Sequence, residues 1–238
     1  MTILHVADFH FNQRWFEWLR HSAPSHHLLV MSGDLLDQSS AVPRRTQVEW
    51  LSAWFADYTG AACVCSGAHD MEWDRETERW RPAYWLREIA SDTVWTDGQL
   101  AVFDGQIVAN IGSATWPKGR AADLWVVHAP PAGTAVARRA SGRDGGDLDL
   151  AAALKEHAPR IVFSGQVHEP RNWFDRIGES LVLNPGRDER APFPNHIVVE
   201  TDPLTCVHVS SALGVRRLEA PAIDAEAETA MAAATVVA

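Results

Sequence analysis

The stretch VFSGQVHEPRN, Val162 to Asn172, ends an apolar run at Gly165 and then sets Gln166 and His168 two positions apart. In an extended chain both side chains point the same way, so the lip of a buried strand presents an amide beside an imidazole. The arrangement recurs upstream. ADFH puts Asp8 and His10 just past the apolar run ILHVA, and SGDLLD puts Asp34 past HLLVMSG. SGAHD puts His69 and Asp70 past AACVCSG, and VVHAPP puts His128 at the end of DLWVVH. Five strands thus end in Asp, His or Gln at the same kind of position. In open α/β sheets the crevice at the carboxyl ends of strands is where sites form. Gly33, Gly67 and Gly165 are read as letting the backbone turn sharply into that crevice.

Working outward, short apolar runs alternate with amphipathic stretches. RWFEWLRH sets Trp15, Trp18 and Leu19 at helical spacing, and TQVEWLSAWFADY carries Val48, Leu51, Trp54 and Phe55 on one helix face. The charged stretch containing Trp73, Trp80 and Trp85 is expected to be helical as far as Ile89. Later strands are expected at QIVANIG, DLWVVH, RIVFSG, SLVLNPG, HIVVETD and CVHVSS, with LDLAAALKEH as a helix among them. Strands alternating with helices predict an α/β layered domain with partly parallel sheet, and the later run of strands predicts a second sheet packed on the first. Residues 1–217 are expected to form one domain. The Ala-rich tail of 218–238, with its scattered acids, is assigned no function.

The chain has 238 residues, 46% apolar and 22% charged, which fits a globular protein. Its formal net charge of -10 argues against a general nucleic-acid coat or an anionic membrane surface, while leaving room for a locally positive cleft. No apolar run approaches membrane-spanning length. Three cysteines make no disulfide framework and no secretory signal precedes the first strand, so the expected compartment is a reducing cytoplasm. Cys63 and Cys65 share one face of a strand and read as small core residues.

A single Asp after a strand is usually a helix cap, and a single His there is usually a hydrogen-bonded rim residue. Several carboxylates converging on one crevice are different, because they repel unless a cation sits among them. Mixed Asp and His donors suit Mn, Fe or Zn better than Ca.

On these residues the sequence resembles the calcineurin-like metallophosphoesterases. That family's pattern is Asp-x-His, Gly-Asp-x-x-Asp, Gly-Asn-His-Asp or Glu, a separate His, then Gly-His-x-His. Here it reads Asp8-Phe9-His10, Gly33-Asp34-Leu35-Leu36-Asp37, Gly67-Ala68-His69-Asp70, His128, and Gly165-Gln166-Val167-His168. HAPP, VHEP and NPG (Asn184 to Gly186) look most like its small single-domain branch. The resemblance implies a four-layer αββα sandwich, two mixed sheets flanked by helices. It implies a first metal held by Asp8, His10, Asp34 and His168. A second metal would share Asp34 and use His128, but Ala68 replaces an Asn ligand and Gln166 replaces a His. One tightly bound divalent transition metal is therefore expected, with a weakened second site. The resemblance also implies attack on phosphorus by a metal-bound hydroxide, with His69 as general acid or phosphate contact and Asp70 orienting its ring.

The expected activity is hydrolysis of a phosphoester, specifically a phosphodiester, on a small or nucleotide-like substrate. The alternative is a low-turnover metal- or phosphate-binding regulatory protein that retains the fold. A nuclease ranks below both, given the acidic charge and the lack of an obvious capping domain. Arg138, Arg139 and Arg143, in ARRASGRDGG, are candidate phosphate contacts, with a solvated loop the favoured reading. Trp73, Trp80 and Trp116 are candidate base-stacking residues, with packing the favoured reading. Arg187 and Arg190 are read as pairing with neighbouring acids.

Overall fold

The computed structural model describes residues 1–112 and 122–219. In chain order the elements are β1 (Thr2–Val6), α1 (Gln13–Ser22), β2 (Leu28–Ser32), α2 (Arg44–Ala56), β3 (Ala62–Cys65), β4 (Glu72–Asp74), β5 (Arg79–Arg81), α3 (Tyr84–Glu88), β6 (Val94–Trp95) and β7 (Leu100–Phe103). They continue with β8 (Gln106–Ile111), β9 (Leu124–Val127), α4 (Leu148–His157), β10 (Ile161–Phe163), β11 (Phe174–Ile177), β12 (Ser180–Leu183), β13 (His196–Thr201), β14 (Leu204–Ser210) and β15 (Gly214–Glu219). Because β15 runs to Glu219, ordered pairing passes Arg217, and the Ala-rich stretch from 220 onward lies outside the described residues.

The strands form two mixed sheets. One runs β15-β14-β13-β1-β2-β3-β6 and the other β11-β12-β10-β9-β8-β7. In the first, β1, β2, β3 and β6 are parallel, while β1 meets β13 antiparallel, Ile3 opposite Val199. In the second, β12, β10, β9 and β8 are parallel.

The period-two alternation of these strands sorts their side chains between layers. On β9, Leu124 and Val126 face the space between the sheets, whereas Trp125 and Val127 face α4. On the first sheet, Ile3, Leu28, Val30, Cys63 and Cys65 face inward, while Leu4, Val6, Leu29, Met31 and Val64 face α1, α2 and α3. The result is helix, sheet, sheet, helix, as the resemblance implies, with Cys63 and Cys65 in the central core.

Packing rather than capping holds the outer helices. Neither α1 nor α2 has a side-chain cap hydrogen bond, which forgoes about 1 kcal/mol each. Trp15, Phe16 and Leu19 of α1 are fully buried, at about 1.5–3 kcal/mol apiece. Among the described α-helices only α4 has a side-chain N-cap, Asp147 Oδ1 accepting the Leu150 N–H at 2.9 Å.

The expected helix through Trp73 and Trp80 is instead a two-stranded hairpin, β4 with β5, followed by the short α3. The Asp74 carboxylate accepts the Glu76 N–H at 3.0 Å and the Thr77 hydroxyl, a local turn that competes with helix formation. Among the described residues, no helix is long and apolar enough to cross a membrane.

Candidate metal centre

The carboxyl ends of β1, β2 and β3 from one sheet and of β9 and β10 from the other meet at one edge. Asp8, His10, Asp34, His69, His128, Gln166 and His168 all lie there, as their spacing predicts. Pairing between β1 and β2 continues past both strands: Asp8 N–H donates to Gly33 O (3.1 Å), His10 N–H to Asp34 O (2.9 Å) and Phe11 N–H to Leu35 O (2.8 Å). These segments run in left-handed backbone: φ is 56° at Asp8, 44° at His10, 54° at Phe11, 52° at Asp34 and 62° at Gln166. That conformation costs L-residues about 1–2 kcal/mol each, so the surrounding bonds hold strain where the side chains must converge.

The glycines serve mainly by being small. Gly33 alone of the three has positive φ, at +78°. A Cβ on Gly67 would stand 2.2 Å from Asp34 Oδ1, and one on Gly165 would stand 2.8 Å from Asp8 Oδ2. Close approach, more than a turn, is what those two positions require.

The donor atoms crowd together. Asp8, His10 and His168 each offer a ligand atom within 4.8 Å of the others, as do Asp8, Asp34 and His128, and His10, Asp34 and His69. His10 Nε2 and His168 Nε2 are 3.1 Å apart. Asp34 Oδ2 is 3.3 Å from His128 Nε2 and 3.7 Å from His10 Nε2. Asp8 Oδ1 accepts the Gln166 N–H at 3.0 Å. Its Oδ2 and His128 Nε2 are buried without a hydrogen-bond partner among the described residues. Buried polar atoms are rarely left so, and a cation among these donors satisfies both.

The protonation states suit that role. Burial, helped by the Arg187 charge, lowers His168 to about 4, and burial lowers His10 to about 3, so both rings are neutral and keep lone pairs. His128 Nδ1 donates to Ser32 O at 2.9 Å, which fixes the ring and leaves Nε2 toward the cluster. Burial lifts Asp8 to about 7. Burial also disfavours charge on Asp34 and His128, but their mutual attraction wins, holding Asp34 below and His128 above their usual ranges. A divalent cation can take the place of the proton that His128 otherwise holds beside Asp34.

Two expected roles look different in space. Asp70 does not touch the His69 ring. Its buried carboxylate accepts the N–H groups of Leu35 (3.0 Å), Leu36 (2.9 Å) and Gly67 (2.8 Å), stapling the Asp34 loop to the His69 turn. The His69 ring is oriented by Gln38, whose backbone N–H donates to Nδ1 at 3.2 Å. Gln166 turns its amide nitrogen to the Gly145 carbonyl. With Ala68 and His128 it borders a cavity of ≈ 460 Å³.

Of the candidate phosphate contacts, Arg138 stands 3.7 Å from Asp144. Arg139 instead lines a cavity that begins at His168. Trp73 and Trp80 are each 50% exposed and contact each other edge to face at 5.3 Å, so they are not core residues; Trp116 lies outside the described residues. Sequence reasoning passed over Gln38, gave Asn184 no role of its own and read Arg187 only as a partner of neighbouring acids. Asn184 Nδ2 donates to Gly165 O and Val167 O at 2.9 and 3.1 Å, clamping the Gln166 turn. Asn184 and Arg187 follow β12 at the same sheet edge as the other motifs, so the strand-end rule that found Asp8 reaches them too.

Residues 1–170 match the calcineurin-like phosphoesterase family model. The chain belongs to that family. Metal-dependent hydrolysis of phosphoesters comes with membership, and the Asp and His clusters above are the candidate ligands. Among solved structures, TT1561 of Thermus thermophilus is 12% identical with a TM-score of 0.55, covering 92% of this chain and 98% of that one. The phosphoesterase Yfce from E. coli is 14% identical with a TM-score of 0.45, covering 92% and 99%. No curated protein is a significant match.

Proposed function

We propose that this phosphoesterase is a phosphodiesterase for small phosphoesters, with one divalent transition metal held tightly and a second held weakly. Asp8, His10, Asp34 and His168 hold the first; Asp34 and His128, with Gln166 at the margin, hold the second. The observation that carries the reading is the pair of buried, unpartnered donors, Asp8 Oδ2 and His128 Nε2, within a cluster of imidazoles and carboxylates. A cation bound there supplies Lewis acidity toward a phosphoryl oxygen.

The second site is weaker for two reasons. Ala68 offers no donor atom. Gln166 commits its amide nitrogen to Gly145, leaving a neutral amide oxygen that is a poorer ligand for Mn, Fe or Zn than imidazole. His69 is the hydrogen-bond donor to the phosphate or leaving oxygen. Its Nδ1 accepts from Gln38 N–H, which places the ring's own N–H on Nε2. Asp34 Oδ1 accepts the His69 backbone N–H at 2.8 Å, tying this turn to a proposed metal ligand.

Elemental analysis after exhaustive dialysis, beside hydrolysis of bis(4-nitrophenyl) phosphate with added Mn, tests the proposal. The expected result is about one transition metal per chain and turnover stimulated by Mn. Absence of any retained metal would sink the assignment of ligands. Metal without turnover would favour a phosphate-binding protein on the same scaffold.

A further inference from the structure

The cavity that starts at His168 has a volume of ≈ 850 Å³ and is lined by five arginines, Arg139, Arg171, Arg187, Arg190 and Arg216. This is the locally positive region of a chain with net charge -10. Three carboxylates, Glu169, Asp188 and Glu189, also line it. Only one ion pair forms between the two sets among the described residues, Arg187 Nη1 to Glu189 Oε2 at 3.6 Å, and that carboxylate is 66% exposed.

Two of the guanidinium groups are built into the fold. Arg216 Nη2 donates to His208 Nδ1 at 3.1 Å, and His208 Nε2–H in turn donates to Pro185 O at 2.9 Å. The His208 ring is stacked on Trp173 at 5.4 Å. Burial keeps His208 neutral, near 4, so its Nδ1 lone pair stays available to the arginine. Arg187 lies over the Trp15 ring at 5.8 Å, and its backbone N–H donates to His168 O at 2.7 Å. Each of these arginines has a buried Nε with no partner among the described residues. A fixed, half-buried cation is costly unless an anion joins it; Arg216 has no carboxylate partner among the described residues, and the Glu189 carboxylate beside Arg187 is largely exposed. A guanidinium fork fits phosphate oxygens.

We infer that this cavity is a second anion subsite, in which Arg139, Arg171, Arg187 and Arg216 hold a terminal phosphate of a small substrate whose scissile phosphoester lies at the Asp8–His168 cluster. The substrate class is thus a small phosphodiester with a second phosphate on one arm. His168 is the shared wall, so one extended molecule reaches both places. What the subsite serves rests on the phosphoesterase reading above; its existence does not.

The test uses the full, metal-containing chain in two arms. In the binding arm, calorimetry compares propyl phosphate with propane-1,3-diyl bisphosphate. The bisphosphate should bind at least ~10-fold more tightly, a factor worth about 1.4 kcal/mol. Arg216→Gln should remove most of that preference and Arg216→Lys should keep part of it, as a charge contact requires. Arg171→Gln, at an exposed position that leaves folding intact, should also reduce it. In the kinetic arm, 4-nitrophenyl phosphodiesters with a propyl or a 3-phosphopropyl arm should show the same preference in kcat/KM. Equal binding of the two propyl ligands by the parent would overturn the subsite, as would a preference untouched by Arg216→Gln and Arg171→Gln. Retained binding preference without hydrolysis of either ester would refute the phosphodiesterase reading and leave the subsite standing. Tighter binding of a 12-nucleotide single strand than of the bisphosphate, lost in Arg216→Gln, would overturn the small-substrate commitment.

Discussion

Gly67→Ala puts a methyl group where the structure has no room for one. The added Cβ would stand 2.2 Å from Asp34 Oδ1 and 2.4 Å from Asp34 N. Since real Cβ contacts stay beyond 3.0 Å, the carboxylate oxygen must withdraw by at least 0.8 Å, from 2.2 to 3.0 Å. The second clash is with backbone, so a rotamer change does not relieve it. Overpacking of this kind costs about 1–3 kcal/mol. The His69 N–H bond to Asp34 Oδ1, now 2.8 Å, is lost or stretched, for about 1.5–3 kcal/mol more as a bond to a charged group. The total, about 2.5–6 kcal/mol, is a large part of an ordinary domain's stability. A ligand displaced by 0.8 Å also exceeds the roughly 0.2 Å tolerance of metal–ligand distances, so retained metal should fall well below that of the parent. Urea unfolding and elemental analysis read the two effects. Gly105→Ala is the comparison: it meets nothing within 4 Å, carries only left-handed strain of about 1–2 kcal/mol, and should keep its metal. A Gly67→Ala protein with the parent's urea midpoint and metal content would refute the placement of Asp34 against Gly67.

Three further outcomes follow from the site and the core. His69→Ala should keep its metal yet lose activity on the order of 10²–10³-fold against a phenyl ester, and much less against a 4-nitrophenyl ester whose leaving group needs little stabilisation; equal losses would exclude a contact with the leaving oxygen. Ala68→Asn with Gln166→His should take up a second metal and raise Mn-dependent turnover by ~10-fold or more, each change alone doing less. A second metal without faster turnover would show that the pocket limits the chemistry. Burial, with the nearby His208, lowers His5 to about 3, below the ordinary 6.5, so the unfolded chain binds the extra proton: stability contributed above pH 6.5 is lost as pH falls toward 3, at up to about 1.4 kcal/mol per pH unit. Urea midpoints between pH 7 and pH 5 should therefore fall more steeply for the parent than for His5→Gln, and parallel slopes would count against a neutral buried His5.

The layered fold was legible because its signals are periodic and long in reach. Apolar runs such as DLWVVH marked strands like β9, and helical spacing found Trp15 with Leu19 and the limits of α4. The β4–β5 hairpin was not, since charges and two tryptophans gave no clear period, while the decisive feature was the short-range turn built by Asp74. Short or exposed strands such as β6, β7, β11 and β15 left too little pattern to read. At the centre, donor identity and strand-end position brought Asp8, His10, Asp34, His128 and His168 together. Contacts made through backbone atoms stayed hidden, because N–H groups carry no residue signature. Gln38 reaches His69 by its own N–H, and Asp70 spends its carboxylate on three others. Arg187 was masked by Glu189, whose pairing was foreseen, and its position over Trp15 depends on a contact 172 residues apart in the chain.

The register of β1 also sets a timetable for synthesis. β1 is a central strand, but its two neighbours lie at very different distances along the chain: β2 begins at Leu28, whereas β13 begins at His196. While the ribosome makes the roughly 130 residues between β3 and β13, at about 5–20 residues per second, the side of β1 that will meet β13 has no native partner for on the order of 10 s. Throughout that interval the nascent chain carries an open row of backbone donors and acceptors on an apolar strand, the kind of edge that recruits other chains. The first Asp and His of the centre lie directly after that strand, so their alignment waits on the same late event, and the metal site is finished only when the last third of the protein closes the sheet.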